Sequence, residues 1–143
     1  MLPHDGYYAR APIPNEAWKE RWPNFTPQEL ACSHCGEYVH NAKFMDKLQS
    51  LRYIIDKPFK INSGHRCAVH NKAVGGATKS KHLEIAVDIS LHNQDRFDLA
   101  NMADSFGFTG MGHAKSFLHL DLRSGPKTHW YYGDSKKYWV KPH

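Results

Sequence analysis

Phe117-Leu118-His119-Leu120-Asp121-Leu122 alternates, and that alternation decides the fold. On a strand, residues two apart face the same side, so His119 and Asp121 point together and Leu118, Leu120 and Leu122 point the other way. A strand with leucines on one face and a histidine and an aspartate on the other backs onto a core and presents a polar site. The competing reading is an exposed edge strand. A second stretch, Ala86-Val87-Asp88-Ile89-Ser90-Leu91, also reads as a strand, with a carboxylate in its middle. Asp88 between Val87 and Ile89 is costly to bury unless it is paired, metal-bound or satisfied by backbone donors.

Outward from these strands the pattern turns helical. Phe44, Leu48, Leu51 and Ile55 recur at helical spacing over residues 42–55, and Asp56-Lys57-Pro58 stops them. Residues 94–106 predict a second amphipathic helix with Asn93 as its N-cap, Phe97, Ala100 and Ala103 along one side, and Gly107 at its end. Thr26-Pro27-Gln28-Glu29 is a capping box with proline at the first helical position. Phe59-Lys60-Ile61-Asn62 predicts a short strand, residues 68–74 one or two helical turns, and Tyr138–Val140 a last strand. Residues 1–24, rich in proline and aromatics without a period, predict an arm lying on the domain. The expected fold is α+β: a small central antiparallel sheet with helices packed on one side.

A length of 143 residues suits one domain with one core. The net charge of +5 favours an acidic partner, but Lys and Arg are scattered and no run of five occurs, so a nucleic-acid footprint is not supported. No stretch approaches the ~20 apolar residues that span a membrane. Met1-Leu2-Pro3-His4-Asp5 lacks a signal-peptide pattern, so synthesis in a cytoplasm is expected, with any export by another route. Trp18, Trp22 and Phe25 near one end, and Trp130, Tyr131, Tyr132, Tyr138 and Trp139 near the other, are expected to pack the terminal segments onto the core. The three cysteines, Cys32, Cys35 and Cys67, are too few and too odd for a disulfide framework. Cys32-Ser33-His34-Cys35 is half a zinc-site pattern, which Cys67, His34, His40 or His70 would have to complete; reduced thiols are the simpler reading.

His82 lies in the polar loop Ser80-Lys81-His82 ahead of the Asp88 strand. His82, Asp88 and His119 make an N,N,O ligand set that leaves a fourth zinc position open for water, as catalytic zinc requires; iron or manganese would also accept these donors. Arg66 follows Asn62-Ser63-Gly64-His65, a strand and a tight glycine turn. A guanidinium there can clamp a carboxylate through two parallel hydrogen bonds, or it can be a surface arginine.

These residues resemble the zinc D-alanyl-D-alanine carboxypeptidases and the related phage cell-wall endopeptidases, which share a fold with the hedgehog signalling domain. The resemblance runs from about Phe25 to Arg123. It is carried in order by Phe25-Thr26-Pro27-Gln28-Glu29-Leu30, the Leu48–Arg52 helix, Ile61-Asn62-Ser63-Gly64-His65-Arg66, His70-Asn71-Lys72-Ala73-Val74-Gly75-Gly76, Ser80-Lys81-His82, Ala86-Val87-Asp88-Ile89 and Phe117-Leu118-His119-Leu120-Asp121. It implies one peptidase domain over 1–143, with a family core at 25–123 and a C-terminal extension at 124–143.

By this resemblance His82, Asp88 and His119 match the zinc ligands, Arg66 the arginine that contacts substrate, and Ser80 the serine that opens the Ser-x-His motif. The His82-to-Asp88 interval is one residue shorter than usual, with Ile85 in the family's glycine region. The positions where relatives carry a catalytic base hold Ser116 and Phe117. Asp121 is then the candidate base or a partner that orients a ligand histidine, with Glu84 and His113 as further candidates.

The resemblance implies a monomeric zinc peptidase that cuts the stem peptide or cross-link of peptidoglycan. It would be of the D,D-carboxypeptidase or endopeptidase type, in a phage-type lysin. Such an enzyme acts on the cell wall or in the periplasm after release, or within a phage particle. The alternative is a catalytically degenerate, zinc-containing module that binds cell wall.

Overall fold

The computed structural model describes residues 1–66 and 85–140. Along the chain run β1 (Gly6–Tyr8), α1 (Glu16–Arg21), α2 (Pro27–Leu30), β2 (Tyr38–His40), α3 (Ala42–Ile55), β3 (Ile61–Ser63), β4 (Ala86–Ser90), α4 (Arg96–Ser105), β5 (Gly110–His113), β6 (Phe117–Asp121), β7 (Thr128–Tyr131) and a 3-10 helix at Ser135–Trp139. β1 and β2 form a two-stranded sheet; the other strands form one sheet in the order β3-β4-β6-β5-β7. This is the expected α+β class.

The alternation read from the sequence builds the sheet. Val87, Ile89, Leu118, Leu120 and Met111 are fully buried. They form one core with Phe44, Met45, Leu48 and Leu51 of α3 and Leu99, Ala100 and Ala103 of α4. Phe44 meets Phe108 edge-on at 5.7 Å. Burying side chains of this size contributes on the order of 1.5–3 kcal/mol each, so this one-sided packing sets the register of the whole sheet.

Several local expectations differ from what is found. α4 begins at Arg96, not Gln94, because Asp95 is the N-cap: its Oδ1 accepts from the amides of Phe97 and Asp98. Asn93 instead takes a left-handed backbone, φ 61°, in the preceding turn; asparagine tolerates that conformation well. Residues 138–140 do not form a strand; Trp139 ends the 3-10 helix and donates its Nε1–H to the Ala114 carbonyl at 2.8 Å. The sheet is not wholly antiparallel, since β7 runs parallel to β5. β6 ends beside the start of β5, and residues 122–127 carry the chain round that end to the free edge of β5. The helical turns expected at 68–74 lie outside the described residues.

The N-terminal arm is more ordered than its lack of period suggested. β1 pairs with β2, and α1 carries Trp18 and Trp22 into the core. Trp18 donates to the Phe25 carbonyl at 2.8 Å and Trp22 to Asp46 Oδ1 at 2.9 Å, so neither indole N–H is stranded. Arg21 grips the same Asp46 with two hydrogen bonds. The Thr26–Glu29 capping box forms as read.

Two consequences can be tested. A Cβ on Gly64 would fall on the Leu30 carbonyl oxygen and 2.8 Å from its carbonyl carbon, where backbone cannot yield cheaply. Gly64→Ala should therefore destabilise by on the order of 1–3 kcal/mol, lowering the thermal midpoint by several degrees; an unchanged midpoint would refute the clash.

The second concerns His113, whose strand position turns it to the helix side of the sheet. Its ring lies 4.5 Å from Trp139 and 5.1 Å from Tyr131. Burial, assisted by the neighbouring His129, pushes this imidazole down to about 4. As pH falls below about 6.5 the unfolded chain takes up the proton first. Stability is thus intact above that value and is lost progressively as pH falls through the folded value, by at most about 1.4 kcal/mol per pH unit. Thermal unfolding between about pH 7 and about pH 4 should lose less in His113→Asn than in the parent; parallel curves would exclude His113 as the group responsible.

Candidate functional site

The face of the sheet away from α3 and α4 carries one row of residues across all its strands. Ser63 on β3 pairs with Asp88, Asp88 with His119, His119 with Gly112, and Gly112 with Trp130. Cross-strand partners share a face, so all belong to one surface. The adjacent row holds Ala86, Asp121, Gly110 and Thr128. Asp88 and Asp121 therefore flank His119, one from across the β4–β6 pair and one from along β6.

Each carboxylate takes one nitrogen of the imidazole. His119 Nδ1 lies 3.0 Å from Asp88 Oδ1, and Nε2 lies 2.7 Å from Asp121 Oδ2. A neutral imidazole carries only one N–H. With Nε2–H given to Asp121, the Nδ1 lone pair would face a carboxylate lone pair, which is repulsive unless a proton or a metal cation sits between them. Burial pulls the His119 imidazole down, but the hydrogen bonds it gives to Asp121 and Asp88 outweigh that and raise its affinity for a proton.

The same gap suits zinc. Ligands at about 2.0–2.1 Å from a tetrahedral ion stand about 3.3 Å apart, close to the Asp88–His119 separation. Nε2–H held by a carboxylate is also the outer partner usual for a metal-bound histidine. Among the described residues no group of three His, Cys, Asp or Glu side chains is placed to hold a metal. His82, the third expected ligand, lies outside those residues, as do Ser80, Glu84 and Cys67.

Asp121 is 1% exposed, and both of its oxygens are engaged. Oδ1 accepts from the Arg123 amide and Nε, each at 3.0 Å. Oδ2 accepts from Arg123 NH2 at 2.7 Å besides His119. Burial alone would raise this carboxyl, but those hydrogen bonds hold it well below the usual carboxylate range. Such a carboxylate orients an imidazole; it has no open lone pair with which to take a proton from water. Of the other candidates for the base, His113 faces the opposite side of the sheet from His119.

Arg66 follows β3 beside the row. Its position depends on Gly64, which packs on Leu30, and on the His65 amide, which donates to the Leu30 carbonyl at 2.9 Å. Cys32 is buried and Cys35 exposed, both on the loop after α2.

Several residues of this face were not singled out from the sequence. Arg123 holds Asp121 and lies 4.4 Å from the centre of the Trp130 ring. Trp130 reaches within 5.3 Å of the His119 ring. Gly110 and Gly112 are empty positions that make room: a Cβ on Gly110 would overlap the Asp121 carboxylate, and one on Gly112 would lie 2.6 Å from Tyr132 and 2.7 Å from Trp130. The signal was present in Gly110-Met111-Gly112-His113, an alternation whose glycines leave one strand face bare, and in Arg123 at the next same-face position after Asp121.

The chain is 35% identical over 91 residues to a zinc D-Ala-D-Ala carboxypeptidase of Streptomyces albus G, an alignment covering 60% of this chain and 36% of that protein. The chain thus spans little more than a third of its relative's length. The Peptidase M15 family matches residues 23–121, a stretch that runs from the end of α1 to the end of β6 and takes in Asp88, His119 and Asp121. This chain belongs to the Peptidase M15 family.

Proposed function

We propose that this chain is a zinc peptidase that hydrolyses peptide bonds in the stem peptide or cross-link of bacterial peptidoglycan, as a D,D-carboxypeptidase or an endopeptidase of the phage-lysin type. The observation that carries this reading is the single imidazole caught between two carboxylates on the sheet face away from α3 and α4, in a chain of the Peptidase M15 family. The substrate class follows from the likeness to the Streptomyces zinc D-Ala-D-Ala carboxypeptidase.

Zinc would be held by His82, Asp88 and His119. Bound there, it supplies Lewis acidity that polarises the scissile carbonyl and lowers the pKa of water toward neutrality. The chain's own residues prepare that chemistry. Asp121 keeps the proton of His119 on Nε2 and so turns Nδ1 toward Asp88. Arg123 fixes Asp121 through a fork of hydrogen bonds. Arg66, with Ser80, would bind substrate, the guanidinium clamping a carboxylate of the stem peptide. The protein would work as a monomer at the cell wall.

The decisive experiment is hydrolysis of purified peptidoglycan before and after chelation. Activity should vanish with the metal and return with zinc. Binding to the wall without hydrolysis, zinc being present, would replace this reading with the catalytically degenerate module. His119→Ala should lose the metal yet stay folded, and Asp121→Asn should weaken zinc binding by about 10–100-fold; full metal content in both variants would remove them from the site.

Arg66→Lys should leave zinc content and folding unchanged and cut kcat/KM on stem peptides by about tenfold or more, because lysine cannot reproduce the planar fork. The loss should shrink on a substrate whose carboxylate is amidated. Equal losses on both substrates would show that Arg66 does not contact that carboxylate.

A further inference from the structure

Three aromatic rings adjoin His119 on the site face. Trp130 stands in the same cross-sheet row as His119, separated from it only by Gly112, and its ring centre lies 5.3 Å from that of the imidazole. Trp130 and Tyr132 both close over that glycine, since a Cβ there would lie 2.7 Å from Trp130 Nε1 and 2.6 Å from Tyr132 Cε2. Their ring centres are 6.2 Å apart, and Phe117 meets Tyr132 at 5.2 Å. Gly112 has no side chain of its own, and the rings fill its place as a continuous apolar shelf. Tyr132 is 39% exposed, and Trp130 and Phe117 are half-buried, so the shelf keeps surface open to solvent.

The shelf is held in place before anything binds. Arg123 lies 4.4 Å from the centre of the indole ring and is itself fixed by its fork to Asp121. A ring pinned in this way loses little freedom when a ligand packs on it. Packing there removes apolar surface from water, which favours an aliphatic group.

The strand order says which part of a substrate reaches the shelf. β3 and β7 are the two edges of the sheet. Arg66 follows the first, and Trp130 and Tyr132 stand at the second, with Asp88 on β4 and His119 on β6 between them. A peptide held by its carboxylate at Arg66, with its scissile carbonyl above the Asp88–His119 pair, runs on toward β7. Strands lie about 4.8 Å apart, so Gly112 is about 7 Å from the middle of that pair. An extended residue spans about 3.5 Å, which brings the second residue on the acyl side of the bond over the shelf.

We infer that Trp130, Tyr132 and Phe117 form a specificity subsite that packs an aliphatic side chain of the second residue on the acyl side of the scissile bond. The inference rests on the peptidase reading above, with Arg66 as the carboxylate clamp. The two larger contributors lie C-terminal to the matched residues 23–121. The contact is made in ground and transition states alike, so it acts on KM rather than kcat.

The test uses the full chain loaded with zinc. Mass spectrometry of digested peptidoglycan first locates the bond that the parent cuts. Two peptides then keep that bond and its leaving side and differ only in the second acyl-side residue, norleucine or glycine. The parent should prefer the norleucine peptide by about tenfold or more in kcat/KM. Trp130→Ala should lose most of this preference through a higher KM for that peptide, and Trp130→Phe, which keeps a flat ring, should retain part of it. If Trp130→Ala binds less zinc or melts early, Tyr132→Ala, which leaves the partner of Arg123 in place, carries the same expectation. A parent without the preference would overturn the inference alone. So would equal losses on the two peptides, which would make the rings a support of the metal ligands. Absence of any cleavage by the zinc-loaded parent would overturn the peptidase reading and this inference together.

Discussion

The pairing of β4 with β6 is the constraint on which the rest of the molecule depends. Asp88 stands opposite His119 and Ala86 opposite Asp121, while Val87 stands opposite Leu120 and Ile89 opposite Leu118. A slip of one residue would turn the leucines out to water and drive the carboxylate and the imidazole into the helices. Core packing and site geometry are thus one choice: the apolar side chains that bind α3 and α4 to the sheet are the same ones that hold the polar row in register.

The polar row is not there for stability. A buried carboxylate between an imidazole and a guanidinium loses much hydration, and its attractions repay that loss only when the geometry is good and every lone pair is used. Asp121 meets both conditions through His119 and Arg123. Gly110 is part of the same arrangement, because any side chain there would displace the carboxylate. Asp88 differs: it sits nearer the surface and shares the second nitrogen of His119 across a gap that suits a cation. One carboxylate orients the imidazole and the other keeps more contact with solvent, and the difference follows from burial.

Both ends of the chain are tied to the core by rings with polar handles. Trp18, Trp22 and Trp139 each bury an indole and each find an acceptor for its N–H, in the Phe25 carbonyl, Asp46 and the Ala114 carbonyl. Trp130 and Tyr132 stand on the opposite face, where their rings close over Gly112 rather than anchor an end. The terminal aromatics thus serve two ends, and only their strand or helix context separates them.

Read alone, the sequence was enough for the α+β class, the two core helices, the β4 and β6 strands, the capping box at Thr26 and the pairing of His119 with Asp121 on one face. These follow from local rules: a two-residue period, a helical stripe and capping chemistry act between near neighbours. Tertiary structure decided what depends on residues distant in sequence. Asp88 reaches His119 from 31 positions away, β7 joins the edge of β5 in parallel, and Trp130 and Tyr132 cover Gly112. The sequence left Asp121 with two roles, base or orienting partner. Folding separated them physically, because only in the assembled sheet does Arg123 close on the carboxylate and use the lone pairs that a base would need.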